Sequence, residues 1–262
     1  MRDDSLYMKV RTAVRAQVLN LLSLNARPAP GIHILNGHRI CGEAEPDTFR
    51  RLLDRLAQQV TLVRAEDAVT MIERHEHPNR PCVAFTFDDG FSECADIFAP
   101  VLEEYGVNAI FFVNPNYVEG DDAYIRHFNH DTVQTAGKRP MRWDTLKDLA
   151  ARGHIIGAHT LDHYMIVTDD RETLRHQIVD CRRVIEEHIG NVCDYFAFPY
   201  GQLSQASETA IDIAASAYAH VFSQSDYKHY YSFGGKVINR RHFEPFWPVA
   251  HVKYFLSCKK TY

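Results

Sequence analysis

Cys82-Val-Ala-Phe-Thr-Phe-Asp-Asp-Gly90 is the stretch that decides the fold, because an apolar run stops at two carboxylates and a glycine. A short run of apolar, β-branched and aromatic residues with this ending predicts a buried strand of a parallel sheet. A helical pattern over residues 92–105 and a second apolar run over residues 108–113 follow it. The stretch therefore predicts a strand, helix, strand unit with an acidic pair at the carboxyl end of its first strand.

Short apolar strands and amphipathic helices alternate on both sides of this unit. Predicted strands lie near residues 32–35, 60–63, 155–156, 195–198, 219–223 and 236–239, and predicted helices lie at 48–56, 65–73, 143–152, 170–188 and 204–216. This rhythm predicts an α/β fold whose parallel sheet is closed or partly closed into a barrel. Residues 114–139 have no clear period, so they are predicted to form a long loop beside a binding site.

Bulk composition limits the classes of protein to consider. The chain has 262 residues, 45% of them hydrophobic and 24% charged, which fits a globular protein with one sizeable core. A net charge of −5 without a run of Lys or Arg argues against a nucleic-acid partner. The six cysteines form no CxxC pair, so we expect reduced thiols.

The first 30 residues are predicted to be a helix and connector in front of a domain over residues 31–262. Apolar residues recur at helical spacing between Leu6 and Leu21, with Lys9, Arg11 and Arg15 between them. We expect this stripe to pack on the body or on a second subunit, and peripheral membrane contact through residues 6–24 is the alternative. No secretory signal pattern or 18-residue uncharged apolar stretch occurs, which predicts a cytoplasmic protein.

Two histidines four residues apart, His159 and His163, follow another predicted strand. A helical turn there would point both imidazoles the same way. Two imidazoles and one carboxylate make a three-ligand set for a divalent cation with open positions, and a second carboxylate can accept a proton from bound water. Strand alternation sends Asp88 and Asp89 to opposite faces, so these patterns leave open which of the two touches the metal.

Thr86-Phe-Asp-Asp-Gly90 and His159-Thr-Leu-Asp-His163 resemble the first and second motifs of the polysaccharide deacetylase family, also called the NodB-homology or carbohydrate esterase 4 family. The resemblance runs from about Leu35 to Arg241. It includes Leu35-Asn-Gly-His38, Trp143-Asp144, Gly153-His154 and the third motif, Phe196-Ala-Phe-Pro-Tyr-Gly201. It implies a deformed (β/α) barrel of the NodB-homology type with an N-terminal helical extension.

The resemblance also implies roles for the site residues. Asp88 would be the catalytic base, and Asp89, His159 and His163 would bind the metal, expected to be Zn²⁺ with Co²⁺ or Ni²⁺ as alternatives. Tyr200 would help to stabilise the oxyanion through its backbone N–H. Ala197 departs from the pattern, because the family usually has at this position an arginine that orients the base.

The region after the third motif offers no clean match to the family's general acid. His242 is the predicted acid and His229 is a second candidate, although both also suit surface histidines of a variable tail. Arg240 and Arg241 are predicted to be a solvated strand end, and His127 and His130 to be polar loop residues rather than a second metal site.

The predicted function is a hydrolase that removes an N-acetyl group from an amino sugar of a polysaccharide or surface-glycan precursor, by attack of metal-bound water. One alternative keeps the site but acts as a deformylase or deacetylase on a lipid-linked or nucleotide-linked sugar. The other is a non-catalytic glycan-binding protein on the same fold, suggested by Ala197 and the unclear general acid.

Overall fold

The structure is a computed structural model that describes residue 14, residues 17–38 and residues 46–262. Within these residues, ten strands form one curled sheet. The strands are β1 (Gly31–Gly37), β2 (Thr61–Leu62), β3 (Pro81–Phe87), β4 (Ala109–Val113), β5 (Ile155–Ala158), β6 (Tyr195–Ala197), β7 (His220–Ser223), β8 (Tyr231–Ser232), β9 (Val237–Asn239) and β10 (Arg241–His242). Their order is β10-β1-β3-β4-β5-β6-β7-β9-β8, with β2 beside β3, and only β8 and β9 pair antiparallel.

The sheet closes on itself at Arg240. Strand β9 lies near one end of the strand order and β10 lies at the other, yet Arg240 alone separates them in the chain. Strand β10 reaches β1 by pairing Arg241 with Leu35. Neighbouring residues can join opposite ends of a sheet only if the sheet curls, so the architecture is the expected deformed barrel.

Helices cover the outside of the barrel. They lie at Pro46–Ala57, Ala65–Glu73, Ala99–Glu104, Pro115–Glu119, Asp122–His127, Trp143–Ala151, Arg171–Arg175, Cys181–Ile189, Glu208–Ala217 and Val249–Leu256. The π-helical segments Cys94–Phe98 and His176–Asp180 lie inside two of the predicted helices, and a further π-helical segment is Phe128–Thr132. The predicted helix over residues 65–73 is confirmed at both ends.

Alternation along β3 sends its side chains into two different cores. Phe85 and Phe87 pack against the outer helices in the larger cluster, whereas Ala84 belongs to a smaller cluster with Ile34, Ile110 and Phe222 from other strands. Residues from several strands can meet in this way only inside the curl of the sheet. The same alternation directs Thr86 and then Asp88 to the inside of the barrel.

The predicted long loop over residues 114–139 is wrong, because three helical segments occupy most of it. Pro115 stands in the first turn of one helix, where its fixed φ is favourable. The Asp121 side chain accepts a hydrogen bond from the Tyr124 N–H and caps the next helix. Pro115–Glu119 is too short for a visible period, and Asp122–His127 continues into the π-helical Phe128–Thr132, which shifts the regular α-helical spacing.

The N-terminal stripe is described only in part, since residues 1–13, 15 and 16 lie outside the described chain. Residues 17–23 are helical, but Val14, Val18 and Leu21 are exposed. Packing of the stripe on the body is therefore wrong for the described part, while a second subunit or a membrane surface stays a prediction. Among the described helices, none is long and apolar enough to span a bilayer. The five described cysteines are free thiols.

Candidate active site

The side chains of interest follow the carboxyl ends of parallel strands, where an α/β barrel presents its reactive groups. His38 follows β1, Asp88 and Asp89 follow β3, and His159 follows β5. With His163, Tyr200, Gln224 and residues 132–134, they line a cavity of about 310 Å³. The structure thus brings the first and second motifs together, 70 residues apart in the chain, as the sequence predicted.

Asp89, His159 and His163 form a buried triad. Asp89 Oδ1 lies 3.7 Å from His159 Nε2 and 3.3 Å from His163 Nε2. The histidines are not on a helical turn, which corrects the sequence expectation: Thr160 and His163 have positive φ angles of 63° and 58°. Asp89 itself has a φ of 72°. Tight turns at Asp89, Thr160 and His163 thus bring the Asp89 carboxylate and the two imidazoles close together.

The triad fits a divalent cation on two observations. The Asp89 Oδ1 atom is buried without a hydrogen-bond partner, which is costly unless a cation or water satisfies it. His159 Nδ1 donates a hydrogen bond to the Ala197 carbonyl oxygen at 2.6 Å, so its Nε2 keeps a free lone pair toward Asp89. Burial lowers the pKa of His159 to about 4, which keeps the imidazole in the neutral form that metals bind.

Asp88 is held by Arg240, which reaches it from the seam of the barrel. Arg240 Nη1 donates to Asp88 Oδ1 at 2.8 Å and Nη2 donates to Oδ2 at 3.0 Å. Asn36 Nδ2 donates to the same Oδ2 at 2.8 Å. Burial would raise the pKa of Asp88, but the charge of Arg240 outweighs it and holds that pKa well below the usual range. Asp88 is therefore ionised across the physiological pH range.

The prediction that Arg240 is a solvated strand end is wrong, because its side chain is fully buried. Arg240 Nε donates to the Ser223 carbonyl at 2.9 Å, and the guanidinium lies 5.0 Å from the Phe112 ring. Arg241 points elsewhere, packed against the rings of Tyr227 and Phe255. Arg240 thus faces the Asp88 carboxylate, whereas Arg241 packs on rings elsewhere.

Arg240 contacts Asp88 from a part of the barrel interior close to Ala197. Ala197 belongs to the same interior cluster as Phe112 and Phe222, the two rings that lie under the Arg240 guanidinium. Sequence reasoning looked for the arginine in the third motif and missed Arg240, 152 residues after its carboxylate. The available signal was a pair of cations, Arg240 and Arg241, directly after the short predicted strand that ends with Val237-Ile-Asn239.

His38 is a second functional candidate to which sequence reasoning gave no role. Its Nε2 atom lies 4.0 Å from Asp88 Oδ2, and its Nδ1 atom lies 3.5 Å from Glu244 Oε1. Burial would lower the pKa of His38, but Glu244, Asp89 and Asp88 outweigh it and raise the pKa to about 9. His38 therefore carries a proton at neutral pH while it faces the cavity.

The other predicted candidates lie at varied places. His242 stands behind His38, with ring centroids 5.1 Å apart, and is not among the residues lining the cavity. Tyr200 has φ 63° and is half-exposed, with its ring centroid 4.7 Å from that of His163. His229 is paired with Asp226 at 2.8 Å on the surface.

His127 and His130 share the exposed carboxylate of Asp131, at 2.7 Å and 2.6 Å. This arrangement agrees with the prediction that both histidines are polar surface residues.

Comparison with known proteins places this geometry in a family. The family model described as polysaccharide deacetylase matches residues 75–220, more than half of the chain. The peptidoglycan-N-acetylglucosamine deacetylase of Bacillus cereus is 26% identical over 126 residues, which are 48% of this chain and 38% of that protein. The chain spans less than half the length of the curated relatives it matches.

Solved structures show the same fold at low identity. IcaB from Ammonifex degensii is similar with a TM-score of 0.69 at 22% identity, covering 89% of this chain and 100% of that one. The Streptococcus pyogenes deacetylase PplD, solved in complex with acetate, is similar with a TM-score of 0.65 at 18% identity, covering 85% of this chain and 97% of that one. With the family match over residues 75–220, these likenesses lead to one conclusion: the chain belongs to the polysaccharide deacetylase family.

Proposed function

We propose that this protein is a metal-dependent deacetylase that removes the N-acetyl group from an amino sugar of a glycan. The observation that carries the proposal is the placement of Asp88, clamped by Arg240, beside the triad of Asp89, His159 and His163 in one cavity. Hydrolysis of an unactivated amide needs a base for water, stabilisation of the oxyanion and a proton for the leaving amine.

Asp89, His159 and His163 are the proposed metal ligands. A divalent cation held there would supply Lewis-acid chemistry, lowering the pKa of a coordinated water and polarising the substrate carbonyl. Zn²⁺ suits two imidazoles and one carboxylate, and Co²⁺ or Ni²⁺ are alternatives. Tyr200 is proposed to stabilise the oxyanion through its backbone N–H, and its positive φ of 63° marks a tight turn within the third motif.

Asp88 is the proposed general base. Arg240 and Asn36 occupy both of its carboxylate oxygens from behind, and this fixes the plane of the carboxylate toward the cavity. The low pKa that Arg240 imposes keeps Asp88 in its ionised form at neutral pH. Arg240 also weakens the case for a non-catalytic protein, because that case rested on the missing arginine at Ala197.

His38 is the proposed general acid, in place of His242. It lines the cavity, lies across from Asp88 and holds a proton near neutral pH, which are the three properties that protonation of a leaving amine requires. His242 lacks the first of these properties, and burial lowers its pKa to about 4, so it is neutral at pH 7.

An amino sugar bearing an acetamide is the proposed substrate class. The cavity is open and lined by polar groups with the half-exposed ring of Tyr200 at its mouth, an arrangement suited to a sugar ring with hydroxyl groups. Its lining contains no described Lys or Arg side chain that would recognise the phosphate of a lipid-linked or nucleotide-linked sugar. A neutral glycan is therefore favoured over a phosphorylated precursor.

The test measures bound metal and acetate release together, with N-acetylglucosamine oligomers as substrate. Chelation should abolish release, and reloading with Zn²⁺, Co²⁺ or Ni²⁺ should restore it. Asp88→Asn should retain the metal but lose at least about 100-fold in kcat, whereas His159→Ala should lose both metal and turnover.

His130→Asn is the matched control, because His130 is exposed on the surface, where it pairs with Asp131. It should keep both metal and turnover. Wild-type protein that binds one metal per chain but releases no acetate from any oligomer would contradict the proposed substrate class. Unchanged turnover in Asp88→Asn would contradict the proposed base.

A further inference from the structure

Beside the proposed catalytic groups lies a second cluster with the spacing of a metal site, made of His38, His242 and Glu244. Glu244 Oε1 lies 3.5 Å from His38 Nδ1 and 3.6 Å from His242 Nε2. These separations resemble those between Asp89 and its two histidines. Spacing alone therefore leaves open whether this cluster binds a metal or serves the reaction in another way.

A chain of hydrogen bonds from Arg240 through Asn36 and Gln224 to His242 shows which atoms of His242 can bind a metal. A guanidinium can only donate, so the oxygen of the Asn36 amide must face Arg240 Nη1, 2.9 Å away. The nitrogen of Asn36 then donates to Asp88 and also to Gln224 Oε1. With its oxygen occupied, Gln224 can present only its NH₂ group to His242 Nδ1, 3.0 Å away.

His242 is thereby fixed in one tautomer. Its Nδ1 accepts a hydrogen bond, so in the neutral ring the proton sits on Nε2, which points at Glu244. His159 shows the opposite arrangement, since its Nδ1 donates to the Ala197 carbonyl and its Nε2 is free for a metal. His242 thus presents a donor to the carboxylate, where a metal site would need a lone pair.

We propose that Gln224, His242 and Glu244 form a positioning arm that holds His38 as the general acid. Oriented by Gln224, His242 Nε2–H faces the Glu244 carboxylate at 3.6 Å, and Glu244 lies within ion-pair distance of His38 Nδ1, at 3.5 Å. These are charge contacts rather than hydrogen bonds, since His38 Nδ1 has no hydrogen-bond partner among the described residues. The other His38 nitrogen, Nε2, is left facing Asp88 and the cavity. This inference rests on the proposed function, because it assigns the arm to that reaction.

The proton transfer that the arm serves is balanced within the site. As the C–N bond of the acetamide breaks, the leaving nitrogen takes the proton from His38 Nε2, and a new N–H bond forms. The proton that Asp88 accepted from water can return to His38 across their 4.0 Å separation, which restores both groups. Glu244 stays ionised throughout and stabilises the imidazolium form of His38.

Kinetics with two substrates test the arm. Glu244→Gln should lower kcat about 10-fold to 100-fold on an N-acetylglucosamine oligomer, but about 3-fold or less on an aryl acetate, whose phenolate leaves without a proton. The basic limb of its kcat/KM profile should move at least one pH unit lower. The groups that face His38 and set this limb are Glu244, Asp88, Asp89 and His242.

Two replacements of His242 distinguish a role in positioning Glu244 from a role as the proton donor to the leaving amine. His242→Gln can still donate to Glu244, whereas His242→Leu cannot, so the glutamine variant should retain about ten times the amide activity of the leucine variant. His38→Gln should lose amide hydrolysis altogether and keep the aryl ester activity. If His242→Gln were as inactive on the amide as His38→Gln, His242 would be the acid and the proposal would be overturned.

Two measurements do not depend on activity. Imidazole ¹⁵N shifts should show the His242 proton on Nε2, and a proton on Nδ1 would overturn the arm even in an inactive protein. Zinc analysis should give one ion per chain in the wild type and in Glu244→Gln. Two ions in the wild type and one in Glu244→Gln would establish a metal site here instead. Absence of acetate release by zinc-loaded wild type would contradict the proposed function while leaving the tautomer measurement valid.

Discussion

Arg240 shows how one residue can complete a site from a distant part of the chain. Its guanidinium makes two hydrogen bonds to Asp88 with no exposed surface on its side chain. Breaking a buried pair by removing one partner leaves an uncompensated charge, which costs roughly 3–5 kcal/mol. Arg240 is therefore important for stability as well as for the orientation of the proposed base.

The first prediction concerns this pair. Arg240→Met should lower the unfolding free energy by about 3 kcal/mol and kcat by at least about 100-fold, because Asp88 is left buried without its counter-ion. Adding Asp88→Asn should recover most of the stability but none of the activity. Urea denaturation and acetate release measure the two effects.

Arg241→Met serves as the control, because it also removes one positive charge at the neighbouring position. The Arg241 side chain packs on Tyr227 and Phe255. The effect of this substitution on kcat should be much smaller. Additive stability losses in the Arg240→Met, Asp88→Asn double variant would show that the pair is not coupled, contrary to this account.

The residues predicted from sequence and those missed differ in a physical way. Asp88, Asp89 and His159 follow apolar runs, and His163 stands four residues after His159, so strand ends and spacing point to all four. Arg240 and His38 act across the closing seam of the barrel, and no local pattern reports which strand ends meet there. The prediction that Arg240 is solvated was wrong because two adjacent arginines look alike in sequence, although strand alternation sends their side chains to opposite faces.

At the scale of elements, the helical segments over residues 115–132 support one wall of the cavity, which residues 132–134 form. Phe128 stacks on Tyr117 with ring centroids 4.0 Å apart and contacts His163 edge-on at 6.1 Å. Phe91 and Ile125 complete this small cluster. Apolar packing in a separate cluster thus supports one proposed metal ligand and leads directly into residues 132–134, which line the cavity.

The second prediction tests this wall. Phe128→Leu should cost about 1–2 kcal/mol in stability and raise KM several-fold, since the loosened wall no longer holds residues 132–134 and the His163 ring in place. Steady-state kinetics and urea denaturation provide the two readouts. Phe49→Leu is the control, because Phe49 packs with Phe98 in the main core.

Phe49→Leu should lose similar stability with KM unchanged. An equal rise of KM in both variants would mean that general loosening, and not this wall, controls substrate binding.

At the scale of the whole molecule, the fold class followed from the sequence because strand and helix patterns alternate along most of the chain. Closure or partial closure into a barrel was predicted as well, but the strands that meet were not, because their meeting depends on a two-residue strand, β10, pairing with β1. Such a strand is too short to leave a pattern. The sequence thus predicted which elements form, whereas the meeting of the sheet's ends depends on contacts between residues about 200 positions apart.

The third prediction concerns the stability of the whole fold below neutral pH. His33 is buried in β1, and burial together with the charge of Lys260 lowers its pKa from 6.5 to about 4. The unfolded chain therefore binds more protons than the folded chain between these two values, and stability falls as the pH drops through this window. The loss should reach about 3 kcal/mol at pH 4, at 1.36 kcal/mol for each unit of pKa shift.

Urea denaturation of wild type and His33→Gln at pH 7.5, 6, 5 and 4 measures this loss. The glutamine can still donate to the Ala29 carbonyl that His33 contacts, but it does not titrate. Its stability should fall less steeply with acid, while the exposed control His130→Gln should follow the wild type. Parallel curves for His33→Gln and wild type would mean that other groups account for the acid sensitivity.

The position of Arg240 late in the chain also affects the order in which the site is assembled during synthesis. All three proposed metal ligands lie between residues 89 and 163, whereas the partner of Asp88 arrives only with residue 240. During synthesis, the last proposed metal ligand, His163, leaves the ribosome about 75 residues before Arg240. A nascent or partly opened chain would therefore contain all the proposed metal ligands without the counter-ion of Asp88, and the proposed hydrolysis would require the last strand to dock and close the sheet.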